Sequence, residues 1–314
     1  MKKWIITAVV LFVVGLIGVT ATMWNEGGFS LGSVEVNQEQ AVAADGVKDV
    51  VLSLNSINVT MVKGTANEIK ASLAGRVSKK MVESTKLNLI REGDTVKIGV
   101  DSNRWTVGFS VFDVQVRVEL PQQQYESFVF NSGTGDMNIA GVSARSVRVE
   151  ADSGTVKLEG MKAGKISLEL GSGDIEVNNV AADTLELNGD STDVFLGKLA
   201  AQKVKLKTGG GNIRMKDVEA ELELEADTGE VEAEMTDITH PINITTGSGE
   251  VILNTAERPS SAAIRFSHGS GELHNQWEGT AQTTAHEGDD IVFGDGSVAV
   301  NVKTGSGDLT LGKR

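Results

Sequence analysis

From residue 135 onward, short runs of alternating apolar and polar residues return in the same phase about every nineteen positions. One series of apolar pairs is Met137/Ile139, Val156/Leu158, Ile175/Val177, Val194/Leu196, Ile213/Met215, Val231/Ala233 and Val251/Leu253. A one-residue gap between apolar positions is the pattern of a strand with one buried face. A single apolar residue follows each pair: Val142, Met161, Val180, Leu199, Val218 and Ile238. A second series then supplies Val147/Val149, Ile166/Leu168, Leu185/Leu187, Val204/Leu206, Leu222/Leu224, Ile242/Ile244 and Ile264/Phe266. Between the second series and the next first-series pair sits a turn of the form Gly/Asp-Ser/Thr-Gly, such as Asp152-Ser153-Gly154 or Gly171-Ser172-Gly173. The third turn positions are 135, 154, 173, 192, 211, 229, 249 and 271, in steps of 19, 19, 19, 19, 18, 20 and 22.

Two short strands cannot bury their apolar faces alone, whereas stacked copies can, through parallel ladders and a continuous core. The pattern therefore predicts an all-β fold, a parallel β-solenoid with about nineteen residues per coil. The usual hand of parallel crossovers predicts a right-handed β-helix. Glycine suits a corner repeated at every coil, because it takes positive φ without a Cβ clash; Thr192, in place of the third glycine, predicts a distorted corner. Stacking in register places Lys205 between Glu186 and Glu223. It also sets Lys203, Lys207, Arg214 and Lys216 over Glu221, Glu225, Glu232 and Glu234, so opposite charges fix the register.

The N-terminal part is less regular. Ile57/Val59, Val62 and Ile69/Leu73 imitate one coil, and Val118/Leu120 with Phe128/Phe130 another. Leu87 to Val100, around Glu92-Gly93-Asp94, reads as a β-hairpin that caps the open end. The segment Glu272 to Asp295 reads as an insertion before a last strand pair, Val298/Val300/Val302 and Leu309/Leu311. Trp4 to Trp24 carries no charge and matches the ~20 residues of a membrane-crossing helix, with Lys2 and Lys3 before it and Glu26 after. The expectation is one N-terminal transmembrane helix, N-terminus cytoplasmic and bulk extracytoplasmic. Val19-Thr20-Ala21 also offers a signal-peptidase site, so a cleaved signal segment is the rival reading. The expected organisation is residues 1–25 as anchor or signal, 26–44 as spacer, 45–125 as an N-terminal β region, and 126–314 as the solenoid.

Composition agrees: aromatic residues are 4%, prolines 3 and glycines 36, which suits many short strands and tight turns. Cysteine is absent, which excludes disulfides and thiolate chemistry. A net charge of −14 argues against nucleic acid and favours basic partners or cations. The acids after the turns, Asp136, Asp174, Glu230, Glu250, Glu272 and Asp308, are candidates for calcium and are read first as solvated turn acids. His240, His268, His274 and His286 show no familiar metal-ligand spacing. Ser267-His268 and Asp289-Asp290 supply the residue types of a hydrolytic triad without a nucleophile elbow. Trp105, Phe109, Phe112 and Trp277 are read as capping aromatics, with saccharide or partner contact as the alternative. Thr208-Gly209-Gly210-Gly211-Asn212 shares only glycine content with a phosphate loop. No residue reads as catalytic or as a metal ligand, and no cofactor is implied.

Val118-Glu119-Leu120-Pro121 leading into the repeats, the Gly-Ser-Gly-Asp turns at 171–174 and 305–308, and the closing Val302-Lys303-Thr304-Gly305-Ser306-Gly307-Asp308-Leu309 resemble the bacterial putative-adhesin family of unknown function. Its members carry β-strand repeats behind an N-terminal membrane segment, and some are encoded with envelope-stress regulators. The resemblance covers residues 45–314 and implies a non-enzymatic, membrane-anchored envelope protein, adhesin-like or scaffolding. Its implied partners are cell-wall polymer or an envelope protein. The alternative class is a polysaccharide-processing β-helix enzyme.

Overall fold

The computed structural model describes residues 32–102, 110–278, 281–285 and 288–314. The chain runs through β1 (Ser33–Ala43), β2 (Asp49–Leu54), β3 (Asn58–Lys63), β4 (Glu68–Ser78), β5 (Lys86–Glu92), β6 (Thr95–Asp101) and β7 (Phe112–Leu120). It continues through β8 (Tyr125–Thr134), β9 (Met137–Ala140), β10 (Ser143–Glu159), β11 (Lys162–Gly210), β12 (Ile213–Thr228), β13 (Val231–Met235), β14 (Ile242–Ser248) and β15 (Val251–Thr255). It ends with β16 (Ala262–Ser270), β17 (Leu273–Asn275), β18 (Ala281–Ala285), β19 (Gly288–Phe293), β20 (Val298–Ser306) and β21 (Leu309–Lys313). All belong to one sheet wound into a solenoid; the long β10, β11 and β12 continue round corners, where single residues such as Arg145 and Asp152 drop out of the ladder.

The expected register holds through the middle. Val147 pairs with Ile166 and Val156 with Ile175, nineteen residues on. Both apolar series point inward and are almost fully buried. A register shift between Ala200 and Lys203 converts the step from Val194↔Ile213 to Lys203↔Glu221, which is where the 18-residue coil loses its residue. Lys203 Nζ lies 2.9 Å from both Glu221 and Glu223, Lys207 Nζ 2.9 Å from Glu225, and Lys216 Nζ 3.4 Å from Glu234. Lys205 reaches Glu223 at 3.7 Å, but Glu186 turns to Lys165 at 2.6 Å. These pairs are solvent-exposed, so their value is in setting the register rather than in stability.

The ends depart from sequential stacking. β2 is parallel to both β6 and β8, and β3 to both β7 and β9, so the coil β2–β3 lies between two coils that follow it in sequence. At the other end β20 lies between β14 and β16, and β21 between β15 and β17. The strand pair that comes last in the sequence is thus threaded between two earlier coils. Gly271 accordingly faces Gly307 and not Gly249. Leu273–Asn275, read as the start of an insertion, is the second strand of a coil. Ile69 and Leu73 lie on β4, which packs antiparallel on β7 as a cap and is not part of a coil.

The hairpin β5–β6 forms as expected, turning at Gly93 with φ +66°. Ser33–Ala43, expected as spacer, is a strand paired with β4 along its whole length. Its polar residues hid it: Gln38 donates to Thr85 O and accepts from Leu87 N, and Gln40 donates to Leu87 O and accepts from Leu89 N, at 2.7 to 2.9 Å. The two amides act as extra rungs that occupy the free edge of β5, a protection that open β-edges require. At the opposite end β19 pairs antiparallel with β16, and β18 with β19.

The segment read as a membrane anchor, Trp4 to Trp24, lies outside the described residues. Among the described residues no helix is long and apolar enough to cross a membrane. On that finding the expected single-pass membrane localisation is set aside.

Candidate functional site

The corner between the two strand series carries the residues that give the solenoid an addressable surface. Its third glycines, Gly135, Gly154, Gly173, Gly211, Gly229, Gly249 and Gly307, have φ between +110° and +146°. A Cβ on Gly173 would lie 2.1 Å from Gly154 O of the coil below, so bare backbone is needed for coils to stack there. The residue after this glycine has a structural task. Asp136 Oδ1 accepts from Thr155 N (3.0 Å), Asp193 Oδ1 from Asn212 N (2.7 Å), Asn212 Oδ1 from Glu230 N (3.1 Å) and Asp308 Oδ1 from Glu272 N (2.9 Å). These side chains cap corner amides one coil away. Of the turn acids singled out in the sequence, Asp136 and Asp308 are used in this way, each through one oxygen, a task that spacing alone did not reveal. Among the described residues no group of three or more His, Cys, Asp or Glu is placed to hold a metal ion.

Thr192 marks the irregular corner expected of it. Its φ is not positive, and its side chain turns inward and is fully buried. It occupies the space over Gly189, where a Cβ would meet Thr192 Oγ1 at 2.6 Å. The neighbouring coil has the reverse arrangement, with Thr208 inward and Gly211 at the corner. Small residues exchange places, and the core stays filled.

Beside the corner runs an open groove of about 890 Å³. Its floor includes Leu54, Ala151 and Leu170, and its sides include Asn131, Asn188, Glu150 and Glu169. It extends over coils from Ser53 to Asp227, about 29 Å at ~4.8 Å per coil. The first corner position alternates: Gly133, Asp152, Gly171, Asp190, Gly209, Asp227. A Cβ on Gly171 or Gly209 would lie 2.6 or 2.7 Å from the carbonyl oxygen of Asp152 or Asp190, so carboxylates stand only on alternate coils, about 9.6 Å apart. Asp152, Asp190 and Asp227 are exposed and make no ion pair among the described residues. Glu150 and Glu169 are bridged by Arg148, whose Nη2 is 3.5 Å from Glu169 and whose Nε contacts Glu150. Lys207 is held by Glu225, whose hydrogen bond raises the lysine pKa above its ordinary value.

The remaining candidates are dispersed. Ser267 and His268 are consecutive in β16 and so point to opposite faces. His268 stacks on Phe266 with Nε2 3.8 Å from Asp289, and Ser267 stays outside that pair. His274 faces Asp308 at 3.6 Å, His240 contacts Thr239, and His286 lies outside the described residues. Thr208 to Asn212 forms a strand corner in which Thr208 Oγ1 donates to Gly210 O, with no helix behind it. Trp277 is a partly buried cap with Lys313 Nζ 5.1 Å from its ring, and Phe112 is packed against the core. Trp105 and Phe109 lie outside the described residues. Tyr125, close to Pro121 of the Val118-Glu119-Leu120-Pro121 segment, is buried edge-on against Phe128 at 4.8 Å and donates to Pro121 O at 3.3 Å; burial pushes its pKa up to about 12.

The Toastrack DUF4097 family matches residues 47–312. A crystal structure described as a putative adhesin from Parabacteroides distasonis ATCC 8503 is 12% identical, covering 88% of this chain and 97% of its own at a TM-score of 0.50. One described as a putative lipid binding protein from the same organism is 13% identical, covering 88% and 96% at a TM-score of 0.50. At these identities the likeness concerns the fold. No curated protein matches the chain.

Proposed function

The chain belongs to the Toastrack DUF4097 family, and from that premise we propose that it is a non-enzymatic, adhesin-like binding rod whose corner groove receives an extended polymer. A right-handed coil is part of the same reading. The observation that carries it is the groove's form: long, open, parallel to the solenoid axis, and repeating every two coils. Such a surface offers the same hydrogen-bonding set again and again to a ligand that itself repeats, so affinity accumulates along the contact. Unpaired carboxylates at Asp152, Asp190 and Asp227, with amides from Asn131 and Asn188, favour a hydroxyl-rich chain bearing amino groups, such as a partly deacetylated amino-sugar polymer. The family and the fold support an adhesin-like role, and a scaffold for an envelope protein would use the same exposed length.

The test is binding of the full chain to immobilised amino-sugar polymer in its deacetylated and fully acetylated forms, across a salt series. Saturable binding to the deacetylated form, weakened about tenfold in Asp152→Asn/Asp190→Asn/Asp227→Asn, is expected for three exposed ionic contacts. Equal binding by the triple variant would remove the groove from the account. Shortening of the polymer during the assay would replace the binding reading with the enzymatic one.

A further inference from the structure

We propose that the terminal coil β20–β21 is exchangeable between copies of this chain: residues 298–313 of a second molecule enter the slot between β14–β15 and β16–β17, and reciprocal exchange gives a dimer. The inference stands apart from the polymer-binding reading.

The slot has two walls and one occupant. On one wall Gly249 N donates to Ser306 O (3.1 Å) and Val251 N to Asp308 O (2.9 Å); on the other Gly307 N donates to Ser270 O (2.9 Å) and Leu309 N to Glu272 O (3.0 Å). Inward residues align across all three coils, with Ile242, Val300 and Ile264 in one row and Ile244, Val302 and Phe266 in the next. The three coils also share one corner sequence, Gly-Ser-Gly followed by an acid, at 247–250, 305–308 and 269–272. Every contact that seats β20–β21 is therefore available to the same segment of another copy.

The connection supplies the reason to exchange. Phe293 and Val298 flank Ala262 from opposite sides, so residues 294–297 must cross over β16, about 9.6 Å at two ladder spacings. The crossing is tight: Gly294 and Gly296 take φ +57° and +70°, and a Cβ on Gly294 would lie 2.1 Å from Ser260 O. Short hinges held in constrained conformations favour domain exchange, because straightening the hinge costs little and the native contacts are remade between molecules. No cysteine locks β20–β21 in place.

The lack of cysteine makes the test direct. Asn243 and Asn301 are exposed ladder partners on adjacent parallel strands, about 4.8 Å apart, a backbone separation within reach of a disulfide. Full chains carrying Asn243→Cys and full chains carrying Asn301→Cys are mixed at high concentration, cycled through mild denaturant, diluted and oxidised. The expected product is a covalent heterodimer, several-fold more abundant than from Asn243→Cys mixed with Gln115→Cys, whose exposed position lies near the opposite end. The double variant in one chain should give a crosslinked monomer. In a second arm, Gly294→Ala, which disfavours the crossing, should raise the dimer share. A heterodimer yield no higher than the control pair, while the double variant crosslinks within one chain, overturns the proposal; so does a dimer share that Gly294→Ala leaves unchanged.

Discussion

The exchange of small residues at Gly189 and Thr192 can be tested by a double-mutant cycle, because each residue is explicable only through the other. Thr192 is fully buried, so Thr192→Gly removes three buried side-chain atoms and adds glycine freedom to the unfolded chain, a loss of about 2–3 kcal/mol. Gly189→Thr alone forces a Cβ to within 2.6 Å of Thr192 Oγ1 and 2.7 Å of its Cβ. Overpacking of this kind costs about 1–3 kcal/mol. The double variant copies the adjacent coil, where Thr208 sits inward and Gly211 takes φ +110°. Its loss should be about 1 kcal/mol or less, against about 3–6 kcal/mol if the two effects simply added, giving a coupling of about 2–5 kcal/mol. Guanidinium unfolding followed by far-UV circular dichroism and calorimetry on all four chains measures it, with the slope checked for constancy because long repeat arrays can lose two-state behaviour. A double variant as unstable as the sum of the singles would refute the claim that the two residues trade one volume.

Four further outcomes concern other corners and ends. Gly173→Ala, with its Cβ 2.1 Å from Gly154 O at φ +120°, should destabilise by about 3 kcal/mol or more and lower the melting temperature, whereas Lys198→Gly, at an exposed corner with φ +48°, should stabilise by about 1 kcal/mol. Gln38→Leu should leave the Thr85 carbonyl and Leu87 amide of the cap unpaired, costing about 1–2 kcal/mol and speeding hydrogen exchange at Leu87. The Arg314 hydrogen bonds hold the Asp217 carboxyl below its ordinary pKa. A depressed carboxyl stabilises above its unfolded pKa and loses that contribution as pH falls through its folded value. Exchange in β21 should therefore accelerate, relative to Asp217→Asn, as pH drops below the ordinary carboxylate range; equal acceleration in Asp217→Asn would rule the clamp out.

Much of this protein was legible from one line of sequence because a solenoid repeats its instructions. The period, the inward positions from Met137 to Phe266, the corner glycines and the cross-coil charges all follow from local alternation and nearest-neighbour stacking. The shift at Ala200–Lys203 was already visible as an 18-residue step. A second corner is marked in the sequence by Val142, Met161, Val180, Leu199 and Val218, but the left-handed backbone of the residue before each, Gly141, Gly160, Asn179, Lys198 and Asp217 with φ from +48° to +69°, was not legible. There is room there for a side chain, so sequence carries no steady glycine signal. The groove was equally hidden, since its carboxylates come from alternate coils and its shape from glycines forced by the coil beneath.

The order of coils at the ends belongs to tertiary structure alone. Segments 242–251, 264–273 and 300–309 spell one pattern of inward residues and corner glycines, so each is a fit neighbour for either of the others. Local chemistry thus determined that these coils stack, and what it left degenerate was which one lies in the middle. That choice was made by the crossing at Gly294–Ser297 and by the β18–β19 hairpin, contacts between residues far apart in sequence that no periodicity encodes.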